Sequence, residues 1–86
     1  MEDEVKCDLA EKGWVVESGE NYSCDYALYS DTPGKVHSTY LMSVGEQAIR
    51  EVILQVRIAE KTRKKFVIAE KRDGEIVYTK VERWKP

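Results

Sequence analysis

The stretch HSTYLMSVGEQAIREVILQVRIAEKTRKKFVIAE, residues 37–70, decides the fold. Residues 37–44 alternate as a strand does, with Tyr40 and Met42 on one face and Leu41 on the other. The period then changes. Ile49, Val52, Ile53, Val56 and Ala59 recur at helical spacing, and Ser43 with Glu46 three positions on suits a capping box. The spacing predicts a helix from about residue 46 to residue 61 or slightly beyond. Residues 66–70 are apolar and β-branched, a buried strand. A strand, a helix and a strand in succession lay one helix against a sheet.

The flanks extend this unit. Residues 4–12 read as a short helix with Val5 and Leu9 on one face, stopped by Gly13. Trp14, Val15 and Val16 form a short strand that ends in the turn-rich residues 18–21. Residues 25–30 alternate loosely, a second strand, and Pro33-Gly34 fits the centre of a type II turn. Downstream, Asp73-Gly74 between two strand-like runs is a hairpin signal. In residues 75–84, Ile76, Tyr78, Lys80, Glu82 and Trp84 face one way, and Val77, Thr79, Val81 and Arg83 the other. The predicted order is α-β-β-β-α-β-β. The fold class is α/β (α+β), a small mixed sheet with one main helix packed on it.

Eighty-six residues make one small domain, 42% apolar and 35% charged, whose core is thin because a chain of this size buries only about 60–65% of its extendable surface. No apolar run approaches the roughly 20 residues of a membrane helix. The acidic start MEDEVKCDLAEK is unlike a secretory signal. Cys7 and Cys24 are too few for a disulfide scaffold and lack the close spacing of a zinc site. An intracellular location is expected, cytoplasmic if the source is archaeal and nuclear if eukaryotic. Net charge is −2, unevenly spread: residues 1–45 balance at −6 and residues 46–86 at +4. The second half can offer phosphates a basic face, although a solvated mixture of charges explains the same balance.

Five strings in order then resemble the catalytic C-terminal domain of the tRNA-intron splicing endonucleases. GWVVESG (13–19) is similar to the family's first glycine-aromatic-Val-Val strand. CDYALYS (24–30) is similar to its tyrosine-bearing strand, and VHSTYLMSV (36–44) to its His-Ser-x-Tyr-Leu-Val-x-Val segment. VRIAEKTRKKFVIA (56–69) is similar to its Val-Arg-x-Ala-x-x-x-Arg-Lys-x-Leu-x-x-Ala segment, and EIVYTKVERW (75–84) to its closing strand. The resemblance runs from about Leu9 to Trp84 and implies a restriction-endonuclease-like catalytic domain of the catalytic-subunit type. Residues 1–86 are expected to form that one domain without the additional N-terminal domain many members carry, as a short natural subunit or an excised domain. The resemblance places the family's catalytic tyrosine, histidine and lysine on Tyr29, His37 and Lys64. Thr62-Arg63-Lys64 departs mildly from the family's Val-Arg-Lys.

The chemistry of those three groups is self-consistent. RNA carries its own nucleophile, the ribose 2′-OH, so a base, an acid and a cation suffice, with no metal and no cofactor. His37, the only histidine, titrates at about 6.5 when unperturbed and suits the general acid on the leaving 5′-oxygen. Lys64 stabilises charge on the non-bridging oxygens. Tyr29 takes the 2′-OH proton, although a free phenol titrates at about 10 and needs help to do so. Taken singly, each residue has a plainer reading: a half-buried strand tyrosine, a surface histidine, a solvated lysine at a helix end.

The resemblance also implies a bulged nucleotide held between Arg57 and Trp84, where stacking contributes about 1–3 kcal/mol per base. Trp84 reads equally as a dimer or core anchor. Arg63, Lys65 and Lys71 are candidate phosphate contacts. Family assembly implies a homo-oligomer, or a heterotetramer with a paralogous subunit, through the C-terminal strand Ile76 to Trp84 and the acidic loop Asp73 to Glu75. The implied activity is metal-independent cleavage of precursor tRNA, with its bulge-helix-bulge RNA, at intron–exon junctions. The ends left are a 2′,3′-cyclic phosphate and a 5′-OH, the products of a tRNA-intron lyase. The alternative is a non-catalytic structural subunit of the same complex. A Mg²⁺-dependent DNA nuclease of similar element order ranks last, since no acidic pair with a nearby lysine marks the middle strands.

Overall fold

Two hydrophobic periods meet in this chain, and the sheet they build has a helix on each face. In the computed structural model, which describes residues 2–30 and 39–84, the order is α1 (Glu2–Glu11), β1 (Val15–Ser18), a 3₁₀ turn (Glu20–Tyr22), β2 (Tyr26–Tyr29), β3 (Tyr40–Val44), α2 (Ile49–Lys61), β4 (Lys65–Arg72) and β5 (Glu75–Val81). The five strands lie in sequence order in one mixed sheet. β1, β2 and β3 are antiparallel neighbours, β3 and β4 are parallel across α2, and β4 and β5 form an antiparallel hairpin. Pro33-Gly34 and His37 lie outside the described residues.

The central strands are buried on both faces, as expected where helices cover a parallel pair. Leu41 stands beside Phe66 and Met42 beside Val67. The first pair joins Ala27 and Ala59 under α2. The second joins Leu28, Ala69 and, from α1, Val5 and Leu9. Leu41, Met42, Phe66, Ala69 and Val5 are almost wholly buried. The short first helix thus covers the face of the sheet opposite α2.

Three expectations at the level of elements are corrected. The capping box does not form. Ser43 is buried inside β3, paired with Ile68, and a residue held in a ladder has no freedom to cap. α2 begins at Ile49 behind Ala48, with no side-chain cap, while Gln47 Nε2 donates to the carbonyls of Val44 and Gly45. The helix face is also rotated. Val52, Val56, Ile58 and Ala59 pack on the sheet and Gln55 is buried, whereas Ile49 is 80% exposed and Ile53 and Leu54 are about half exposed. A hydrogen bond from Gln55 Nε2 to the Ser23 carbonyl fixes that rotation. Finally, β5 ends at Val81 and not at Trp84. Its last pair is Phe66 with Val81, and β4 begins only one residue earlier.

Both helices end in the same Schellman closure. At α1, Trp14 N–H donates to Leu9 O and Gly13 N–H to Ala10 O, with Gly13 at φ +91°. At α2, Lys64 N–H donates to Ala59 O and Arg63 N–H to Glu60 O. There the left-handed position is taken by Arg63, at φ +58°. The hairpin turn has positive φ at both Asp73 and Gly74, the type I′ pattern that suits the strand twist.

Candidate active site

Strand direction brings the Tyr29 and Lys64 positions to one end of the sheet. β2 runs against β3, and β3 runs with β4. The last residue of β2, Thr39 just before β3 and Lys64 just before β4 therefore share an end. Tyr29 closes β2 opposite Val15. Thr39 N–H donates to Leu28 O at 2.9 Å, and Lys65 N–H donates to Thr39 O at 3.0 Å. Thr39 thus ties the end of β2 to the start of β4, and Lys64 stands one residue before that start.

The face is shared as well. Tyr29 packs against the cluster under α2. Lys64 lines one cleft with Ala59 and Phe66 of that cluster. Both side chains are half-buried. The Schellman closure aims Lys64 by pinning its N–H to the end of α2. Its Nζ lies 5.4 Å from the centroid of the Tyr22 ring, a cation–π distance, and Tyr22 packs on the same cluster. Nothing in the sequence pointed to Tyr22, which sits in a turn-rich segment without periodicity.

A cleft of about 220 Å³ opens beside Lys64, between the end of α2 and the end of β5, lined among others by Glu60, Lys65, Phe66, Glu82 and Arg83. Its charges are cross-linked. Lys65 Nζ lies 3.1 Å and Lys80 Nζ 3.4 Å from Glu82 Oε1, and Arg83 Nη1 lies 3.8 Å from Glu60 Oε2. The hydrogen bond and charge of Lys65, then those of Lys80, hold the Glu82 carboxyl below its ordinary range.

The RNA-contact candidates divide. Arg57 is exposed on α2 and lines a groove with Ile53, Val56, Val81 and Arg83. Trp84 is 82% exposed and follows Arg83 beyond the end of β5, so it is not a strand residue. Arg63 is exposed at the left-handed turn. Lys71 is at the wrong end: it pairs with Ile76 beside the hairpin, about 20 Å along β4 from Lys65 at about 3.3 Å per residue. It forms an ion pair with Glu4 at 2.9 Å instead. Among the described residues no helix is long and apolar enough to cross a membrane.

The chain is similar in sequence to known proteins. Residues 4–78 match the family described as tRNA intron endonuclease, catalytic C-terminal domain. A tRNA-splicing endonuclease of Methanopyrus kandleri is 38% identical over 72 residues, covering 79% of this chain and 40% of that protein. One of Picrophilus torridus is 33% identical over 84 residues, covering 96% of this chain and 29% of that protein. One of Saccharolobus islandicus is 36% identical over 66 residues, 72% of this chain and 36% of that protein. The chain thus spans between 29% and 40% of the length of these curated relatives. It belongs to the tRNA intron endonuclease family, matching the catalytic C-terminal domain.

Proposed function

We propose that the chain is a catalytic subunit that cuts precursor tRNA at intron–exon junctions without a metal. Tyr29 Oη takes the proton of the ribose 2′-OH, and the 2′-oxygen bonds to the adjacent phosphorus. The bond from phosphorus to the 5′-oxygen breaks, and the His37 imidazolium gives that oxygen its proton. Lys64 Nζ offsets the extra negative charge on the non-bridging oxygens of the phosphorane. One proton is taken and one is given. The ends are a 2′,3′-cyclic phosphate and a 5′-OH.

The observation that carries this reading is the meeting of the Tyr29 and Lys64 positions on one face at one sheet end, with Thr39 tied to both strands. His37 is two residues before Thr39 in the chain, and two residues reach no more than about 7 Å. Arg57 and Trp84 would hold a bulged base, and Arg63 and Lys65 would meet phosphates. The ion pair of Lys65 with Glu82 does not oppose this, because exposed pairs contribute only about 0–1 kcal/mol. Assembly would run through β5, the last strand of the sheet, and through the exposed turn at Asp73, Gly74 and Glu75, with a second copy or a paralogue.

The test is cleavage of a bulge-helix-bulge RNA in EDTA, by the chain alone and with candidate partner subunits, followed by end-group analysis. Cyclic-phosphate ends are expected, with a loss of about 10²–10⁴-fold in His37→Ala and in Tyr29→Phe. A complex that keeps full activity when Lys64 is changed to Ala would instead assign this chain the scaffolding role.

A further inference from the structure

We infer that Tyr22 is a positioning residue for Lys64, held in place by Gln55; this rests on the catalytic reading above. The ring of Tyr22 lies under the Lys64 ammonium at 5.4 Å from its centroid. Without such a contact, a lysine carries several freely rotating bonds, and a charge meant for a phosphorane must wait near its working position. A ring face attracts the ammonium through its π-electrons and takes up no hydrogen-bond donor of the lysine.

The ring is itself anchored. Tyr22 ends the 3₁₀ turn, and its own N–H donates to Gly19 O at 2.9 Å. The next residue, Ser23, takes a left-handed conformation, φ +58° and ψ +32°. Its carbonyl accepts the hydrogen bond from Gln55 Nε2 on α2. Gln55 is only 5% exposed, so its Nε2 would be a buried donor without a partner if that bond were lost. The helix whose C-terminus aims the Lys64 backbone therefore also fixes the turn that carries the ring under its side chain.

The test compares Tyr22→Phe, Tyr22→Leu, Gln55→Met and Lys64→Ala in the same RNA cleavage assay, with thermal unfolding of each. A second readout is the proton shift of the Lys64 ε-methylene, which a ring face moves upfield. Tyr22→Phe keeps the ring, so wild-type kcat and the upfield shift are expected. Tyr22→Leu should lower kcat about 3- to 10-fold with KM unchanged, because the interaction it weakens is made in the transition state, and should abolish the shift. Gln55→Met should fall between. A wild-type rate in Tyr22→Leu, or no upfield shift in the wild type, overturns the inference while leaving the catalytic reading intact if Lys64→Ala is inactive. A wild-type rate in Lys64→Ala overturns both. If Tyr22→Leu does not fold, the shifts of the wild type and Tyr22→Phe decide.

Discussion

Arg63 occupies a backbone position that glycine fills at the end of the other helix. A left-handed conformation costs a residue with a Cβ roughly 1–2 kcal/mol, and glycine avoids that cost while losing more chain entropy on folding. Arg63→Gly should therefore stabilise the domain by about 0.5–1 kcal/mol, raising Tm by about 3–6 °C for a chain of this size. Differential scanning calorimetry checks it, and a lowered Tm would show that the arginine stabilises this turn by contacts worth more than its backbone strain. The same variant should bind RNA more weakly if the exposed guanidinium meets phosphate. Stability and affinity moving in opposite directions would mark a residue kept for its charge at a structural cost.

Among the elements, α1 is held by polar ties as well as by its apolar face. Val5 and Leu9 bury its inner face. Beyond them, Tyr78 Oη donates to Asp8 Oδ2, Lys12 pairs with Asp8 at 2.7 Å, and Lys71 pairs with Glu4. The hydrogen bond from Lys12, then that from Tyr78, lowers the Asp8 carboxyl, and Lys71 lowers that of Glu4. Burial and the Asp8 carboxylate push the Tyr78 phenol up, so it stays a donor. A carboxylate depressed in the folded state stabilises it above the unfolded value, and the effect is lost as pH falls through the folded one. Thermal stability should thus hold from pH 7 to about 5 and decline below about 4. In the double variant Glu4→Gln, Asp8→Asn the decline should be shallower; parallel curves would remove these ties from the acid response. The apolar half of this element was legible, since Val5, Leu9 and Gly13 are local signals. Its partners Tyr78 and Lys71 were not, because nothing local links residues about 70 positions apart. The false capping box at Ser43 has a related cause. Ser43 carries a good local cap signal, but the ladder to Ile68 outweighs it. The Tyr29 and Lys64 site was legible only through resemblance, because strand direction brings those ends together and periodicity does not report direction.

At the scale of the molecule, the uncovered apolar side chains concentrate on α2 and beyond β5. Ile49 is 80% and Trp84 82% exposed, with Ile53 and Leu54 about half exposed. β5 pairs only with β4 among the described residues, and its free edge offers unpaired backbone groups to another strand. A second copy laid along β5 would cover the apolar part of the groove between α2 and the end of β5, formed by Val52, Ile53, Val56 and Val81; Arg57, Glu60, Glu82 and Arg83 line the rest of that groove. Trp84 has two competing uses here, as an association anchor and as one plate around a flipped base, and two variants separate them. Sedimentation equilibrium should give a wild-type mass above the 9.9 kDa of one chain, and Ile53→Asp should return it toward that value by placing a charge in the groove. If Trp84 stacks on RNA, Trp84→Ala should keep the wild-type mass and bind a bulged RNA about tenfold or more weakly, the loss expected when one stacking partner is removed. If Trp84→Ala dissociates the assembly as Ile53→Asp does, the indole belongs to the subunit contact, and Arg57 must hold the base with some other partner.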